Sequence, residues 1–144
     1  MSKYLTIDEL NIDNQEMLVA TLQNDLKFFG EKGLVVESHA VPMTLFDWHG
    51  KARPEQAEVV IRRQFVGPAA NDLGFVRGES GNFRPIISAA DNFNYGPTWR
   101  DELSQKYGER KYEQDMYQSG FQLDSKEIQQ DGTTAMTFSR MGGF

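Results

Sequence analysis

Cysteine is absent from the 144 residues. Disulfides, thiolate nucleophiles and cysteine-ligated zinc or iron–sulfur sites are excluded with it, and a reducing compartment is compatible. No stretch approaches the roughly 18 consecutive apolar residues of a membrane-spanning helix. A basic surplus is also lacking: 15 Lys and Arg stand against 21 Asp and Glu, a net charge of −6. Nonspecific nucleic-acid binding depends on neutralising phosphates with Lys and Arg, so this balance disfavours it. The opening MSKYLTIDEL carries no apolar run after Lys3 and does not read as a secretory signal. The expectation is a soluble cytoplasmic protein without membrane association.

Aromatic residues are plentiful at 12%, ten of them Phe, and hydrophobic residues make up 39%. Such a chain can bury a core, and its length fits one α+β domain over residues 1–144. The stretch 57–87 sets the organisation, with two apolar runs around a Gly-Pro-Ala-Ala-Asn-Asp loop and a Gly78–Gly81 turn into a third. It reads as the centre of an antiparallel sheet that the rest packs on or extends.

Taken in order, residues 3–10 read as a short first strand. Asn11 to Asn14 offer helix-start chemistry. Leu18, Leu22, Leu26 and Phe29 then make one apolar stripe on a helix of about four turns, stopped by Gly30 and Gly33. Leu34 to Phe46 is extended, and Pro42 makes it either an edge strand, with an edge free for a second copy, or two short pieces. Asp47 to Gly50 is turn-like, and Lys51 to Gln56 is a polar connector. In the next strand Ala57, Val59 and Ile61 share one face, and Glu58, Val60 and Arg62 the other. Leu73 to Arg77 and Phe83 to Ile87 complete the centre. Pro97 opens a second helix with Trp99, Leu103 and Tyr107 at i, i+4 and i+8, which Gly108 breaks or kinks. Gly120 ends it, and Asp131-Gly132 marks a hairpin returning over Ala135 to Ser139. The pattern predicts an antiparallel sheet with two main helices on one face.

From Ala57 onward the chain resembles a known family. The matching elements are Ala57-Glu58-Val59-Val60-Ile61, Asp72-Leu73-Gly74-Phe75, Gly78 to Gly81, Gln105-Lys106-Tyr107, Gly120-Phe121, Asp131-Gly132 and Arg140. Met1-Ser2, Ile7, Leu18 and Leu22 fit its start. This is the uncharacterised family that includes plastid hypothetical chloroplast open reading frame thirty-five, with cyanobacterial, other bacterial and phage members. The chain departs from its pattern in the 67–72 loop and in Asp91 to Pro97. The resemblance implies no activity and no cofactor. Its members are often encoded beside AAA-type ATPases, which implies an accessory role, in the plastid stroma where the member is plastid-encoded.

Candidate chemistry is sparse. His39 and His49 are the two histidines, and Asp47 lies near His49, but no metal-ligand spacing is present. A turn or surface role is the simpler reading. Gly78-Glu79-Ser80-Gly81 lacks the Lys-Ser/Thr and helix of a phosphate loop. Asp101-Glu102 and Glu109 to Glu113 read as a solvated helix face. Arg62, Arg63, Arg77 and Arg84 fall on strands expected to be neighbours. With Phe75, Phe83 and Phe93 they could hold a single strand by stacking and phosphate contact. Trp48, Tyr95, Trp99 and Tyr107, together with Tyr117, could instead form a partner-docking surface. The expected function is a non-enzymatic accessory domain binding a larger protein. The alternative is a single-stranded nucleic-acid module.

Overall fold

The computed structural model describes residues 3–142. Helix α1 spans Gln15–Asp25, and the Asn14 side chain caps it by accepting from the Met17 N–H at 3.0 Å. Leu18 and Leu22 are buried, as the stripe predicts, but the helix ends at Asp25 and leaves Leu26 extended. Tertiary partners claim the backbone beyond. The Lys27 carbonyl accepts from Trp99 Nε1 at 3.1 Å, and the Phe29 N–H donates to the Tyr95 hydroxyl at 3.1 Å. The Gly30 and Glu31 N–H groups bond the Phe65 and Gln64 carbonyls at 3.1 and 2.7 Å.

Four antiparallel strands follow: β1 Val36–Phe46, β2 Ala52–Ile61, β3 Leu73–Arg77 and β4 Phe83–Ile86, ordered β1-β2-β3-β4. A short helix α2, Arg63–Val66, joins β2 to β3 through the 67–72 loop. The polar segment after Lys51 is therefore the first half of β2, not a connector. Its sequence hides this because Arg53 and Glu55 pair at 3.6 Å where apolar residues would otherwise mark a face. Residues 3–10 form no strand of their own. They run beside β4 and the residues after it through a Tyr4–Ser88 bridge, the bonds from Leu5 to Ile87 and Leu10 to Phe83, and the Ala89 N–H to the Lys3 carbonyl. Pro85 lies between those anchors and has no N–H to continue a ladder.

Strand β1 is an edge strand, as Pro42 foretells, and it carries a large bulge. It advances from Ser38 to Met43 while β2 moves only from Val59 to Ala57. Beyond the bulge Leu45 reaches the reverse face of the sheet. There it forms a small cluster with Ala57, Val60 and Ile86. Ala57 thus sides with Val60 rather than Val59, a correction to simple alternation at the slipped register. Gly74 makes this possible, because a Cβ there would lie 2.7 Å from the Ala57 Cβ and 3.2 Å from Leu45.

The main core lies on the other face. Val59, Ile61, Leu73, Phe75 and Phe83 meet Leu18 and Leu22 of α1 and Trp99, Leu103 and Tyr107 of helix α3, Pro97–Gln118. Gly108 does not interrupt α3, since it faces open space there. The last half of α3 buries nothing fully. Gly120, at φ +92°, turns the chain into β5 Phe121–Ile128 and β6 Thr134–Arg140. These two form their own sheet rather than extending the first. Tyr112 packs edge-on against Phe138 at 5.5 Å, and Lys126 pairs with Glu113 at 3.5 Å.

One buried carboxylate joins sheet, loop and α2. Asp72 accepts from the Phe46 N–H at 2.8 Å, the Arg63 N–H at 2.7 Å and Arg62 Nη1 at 2.9 Å. The Tyr4 hydroxyl donates to its carbonyl at 2.6 Å, and burial, aided by the Asp72 charge, raises the pKa of that phenol. Arg62 in turn grips both Glu37 oxygens, at 2.8 and 3.0 Å, and the Thr44 carbonyl at 3.1 Å.

Replacing Asp72 with Ala leaves the Phe46 and Arg63 N–H groups without their acceptor and removes one of the two carboxylates that neutralise Arg62. A loss of about 3–5 kcal/mol is expected in urea unfolding, as for a broken buried pair. Gly74→Ala is expected to cost about 1–3 kcal/mol by overpacking. Adding Ala57→Gly should restore part of that loss in a double-mutant cycle.

Candidate partner-docking site

The turn between β1 and β2 is built to hold its tip still. The buried Asp47 carboxylate accepts from the His49 and Lys51 N–H groups at 3.0 and 2.9 Å. The Asp47 N–H reaches the Lys51 carbonyl at 2.9 Å, and the Gly50 N–H returns to the Asp47 carbonyl at 2.8 Å. Gly50 has φ +81°, which explains the glycine. The Trp48 N–H is fixed by Asn71 Oδ1 at 3.0 Å. Asn71 itself bonds Ser88 Oγ at 2.9 Å, and its own N–H reaches Asp91 at 3.0 Å.

On this rigid turn the Trp48 ring is 45% exposed and lies against the His49 ring at 3.7 Å. It borders a cleft of about 470 Å³, walled by Phe29 to Glu31, by Arg63 and Gln64 of α2, and by Gly67 to Ala70. Phe29 is 41% exposed there. Two constraints shape the walls. Gly30 lies so close to α2 that a Cβ would be 2.2 Å from the Gln64 carbonyl oxygen. Ala69 stands at φ 56°, a backbone conformation that costs a non-glycine residue energy and that recurs at ligand clamps. Arg63 donates Nη1 to the Asp47 carbonyl at 3.2 Å.

Of the aromatic residues expected on a docking surface, Trp48 and Tyr117 are exposed. Tyr95, Trp99 and Tyr107 are buried and build the core instead. Tyr95 donates to the Val66 carbonyl, and burial pushes its pKa up to about 12. The ring of Trp99 meets those of Tyr95 and Phe28 edge-on at 5.0 and 5.7 Å. The helical spacing of these residues signals a buried stripe as readily as a surface one.

The Arg/aromatic sheet face does not assemble. Phe75 and Phe83 are buried under the helices and cannot stack on bases, while Phe93 is exposed on a separate turn. Arg62 is held by Glu37 and Asp72. Arg77 lies over the Phe83 ring at 4.3 Å and bonds the Asp13 and Gly81 carbonyls. Arg84 is an exposed residue 4.0 Å from Glu9. Arg62 and Arg63 stand at α2 rather than on a strand.

The remaining candidates separate likewise. His39 pairs with Glu37 at 2.8 Å, remote in the chain from the His49 turn. Among the described residues no group of three or more His, Asp or Glu side chains could hold a metal ion. Gly78 to Gly81 is a hairpin turn, closed by the Gly81 N–H to the Gly78 carbonyl at 3.0 Å. Asp101 and Glu102 are exposed, and Glu109 and Glu113 face lysines. Phe29 is distant in the chain from Arg63 and the 67–70 wall, and the Gly30–α2 contact brings it to them, which adjacent letters do not signal.

Residues 32–137 match the family model described as "Protein of unknown function (DUF1257)". No curated protein and no solved structure matches the chain. Among the described residues no helix is long and apolar enough to cross a membrane.

Two carboxylates link this region to pH. The Arg62 guanidinium, helped by His39, holds Glu37 below the usual carboxylate range. The Lys51 N–H, then that of His49, does the same for Asp47. Lowered folded-state values mean that their stabilisation is complete above the unfolded values of about 4 and is lost as pH falls through the folded ones. Melting temperature is therefore expected to drop steeply below about pH 4. Glu37→Gln and Asp47→Asn should each flatten that acid limb while lowering the plateau at neutral pH.

Proposed function

The chain belongs to the DUF1257 family of proteins of unknown function, and from that premise we infer that it is a non-enzymatic accessory domain that docks a larger protein through the Trp48 cleft. The observation that carries this reading is the exposed Trp48 ring on a turn whose backbone is already fixed by Asp47 and Asn71. A large aromatic held in place before binding loses little freedom when a partner covers it. Tryptophan is also among the residues that dominate interface energies. Phe29 and the Gly67–Ala70 wall supply the surrounding surface that would exclude water. The scattered titratable groups support a binding role rather than general acid–base work, which needs them to converge.

The resemblance to the family of plastid open reading frame thirty-five directs the choice of partner. An AAA-type ATPase is the first to try, in the cytoplasm or, for a plastid-encoded chain, in the stroma. Burial of Phe75 and Phe83 removes the support for single-stranded nucleic acid.

The test is a tagged pull-down from native extract, with and without nuclease, run on the wild type and on Trp48→Ala. A stoichiometric protein that survives nuclease and is lost with Trp48→Ala is expected. Calorimetry of that pair should show a loss of about 2 kcal/mol or more for Trp48→Ala. Equal capture by a folded Trp48→Ala chain would place the interface elsewhere, and a signal lost on nuclease treatment would sink the docking reading.

A further inference from the structure

Arg62 and Arg63 are adjacent in sequence but differ in how their guanidinium groups are used. The Nε and Nη2 of Arg62 form one edge of the group, and Glu37 closes it with both carboxylate oxygens, at 2.8 and 3.0 Å. Arg63 is engaged only through Nη1, at the Asp47 carbonyl. Its Nε and Nη2 have no hydrogen-bond partner among the described residues, and no carboxylate there pairs with it within 4.0 Å. In a chain of net charge −6 an unneutralised guanidinium on a residue that lines a cleft is a feature to explain. We propose that Arg63 receives a carboxylate from the docked protein, so that the cleft recognises an acidic side chain set next to an apolar one.

The neighbouring groups fit this occupant. Planar guanidinium and carboxylate groups match through two parallel hydrogen bonds, which set orientation as well as strength. Gly50 leaves room for the guanidinium, since a Cβ there would lie 3.1 Å from Nη1 and 3.3 Å from Nη2. The bond to Asp47 fixes the fork relative to the Trp48 turn. Trp48 and Phe29 offer exposed rings for the apolar neighbour of the acid. Glu31, whose N–H bonds the Gln64 carbonyl beside Arg63, forms no ion pair with Arg63 within 4.0 Å and would repel a second acidic residue placed against it. The inference rests on the docking reading above, and it names the chemistry that the partner must present.

The probe is a displayed library of random dodecapeptides, panned against the full chain and against Trp48→Ala. Peptides held only by the chain with Trp48 are then made with each Asp or Glu changed to its amide. Enrichment of an acid beside an apolar residue is expected. The amide change should weaken binding about tenfold on the wild type and under twofold on Arg63→Gln, as for loss of a charge-assisted pair. Arg63→Lys, which keeps the charge and loses the fork, should fall between them, and matching melting temperatures identify folded variants. Trp48-dependent peptides without carboxylates, or an equal amide effect on Arg63→Gln, would overturn the carboxylate assignment and leave the docking reading standing. If no peptide depends on Trp48, the docking reading falls and this inference with it.

Discussion

A single buried carboxylate, Asp72, decides how the two ends of the sheet meet. It stands just before β3 and takes hydrogen bonds from the end of β1, from the start of α2 and from Arg62. It reinforces the return of Phe46 to the 67–72 loop, where the Asp72 N–H also donates to the Phe46 carbonyl at 3.0 Å. A charge removed from water in this way is tolerable only when its partners are all in place. The network therefore specifies one arrangement of β1, α2 and the loop. The Trp48 turn, bonded to Asn71 beside Asp72, inherits its position from that arrangement.

The same interactions separate structural from available chemistry. Arg62 belongs to the fold because Glu37 and Asp72 neutralise it, and the exposed Arg77 because it lies over Phe83 and bonds two carbonyls. Arg63 shares the helix with neither of those compensations. A family defined across residues 32–137 contains the Trp48 turn, α2 and the 67–70 wall, while Phe29 and Gly30 come from just outside it. The cleft is thus assembled from the matched region and from a segment that the α1 residues deliver.

Local signals in the sequence were good guides wherever the chain itself decides the geometry. Asn14 caps α1, Pro97 starts α3, and Asp131-Gly132 turns the last hairpin because capping and turn chemistry need only near neighbours. The layout of helices over one sheet face also follows from pattern. What was hidden depends on distant partners. Residues 27–31 carry helical spacing, yet Trp99, Tyr95 and α2 take their backbone groups. Lys51 to Gln56 look like a connector because the ion pair Arg53–Glu55 stands where apolar residues would mark a strand face. The spacing of Trp99, Leu103 and Tyr107 leaves a buried and an exposed stripe equally open, and the contrast between Arg62 and Arg63 depends on partners distant in the chain. Trp48 was legible as a candidate, whereas its cleft was not.

The region from Gly108 onward has a different character from the sheet. Its hairpin leans on the helix through Tyr112 on Phe138, Lys126 on Glu113 and Glu109 on Thr134, while Gln105 reaches the Gly132 carbonyl and Arg110 ties the helix back to Asp25 of α1. An isolated two-stranded hairpin has little stability alone and borrows its order from the helix it lies on. The β5–β6 hairpin is therefore expected to exchange its amide protons by local opening while the Asp72 network stays closed. The molecule carries two levels of stability in one chain. Whatever grips the hairpin end would feel a compliant lever, and whatever seats at Trp48 would meet a fixed wall.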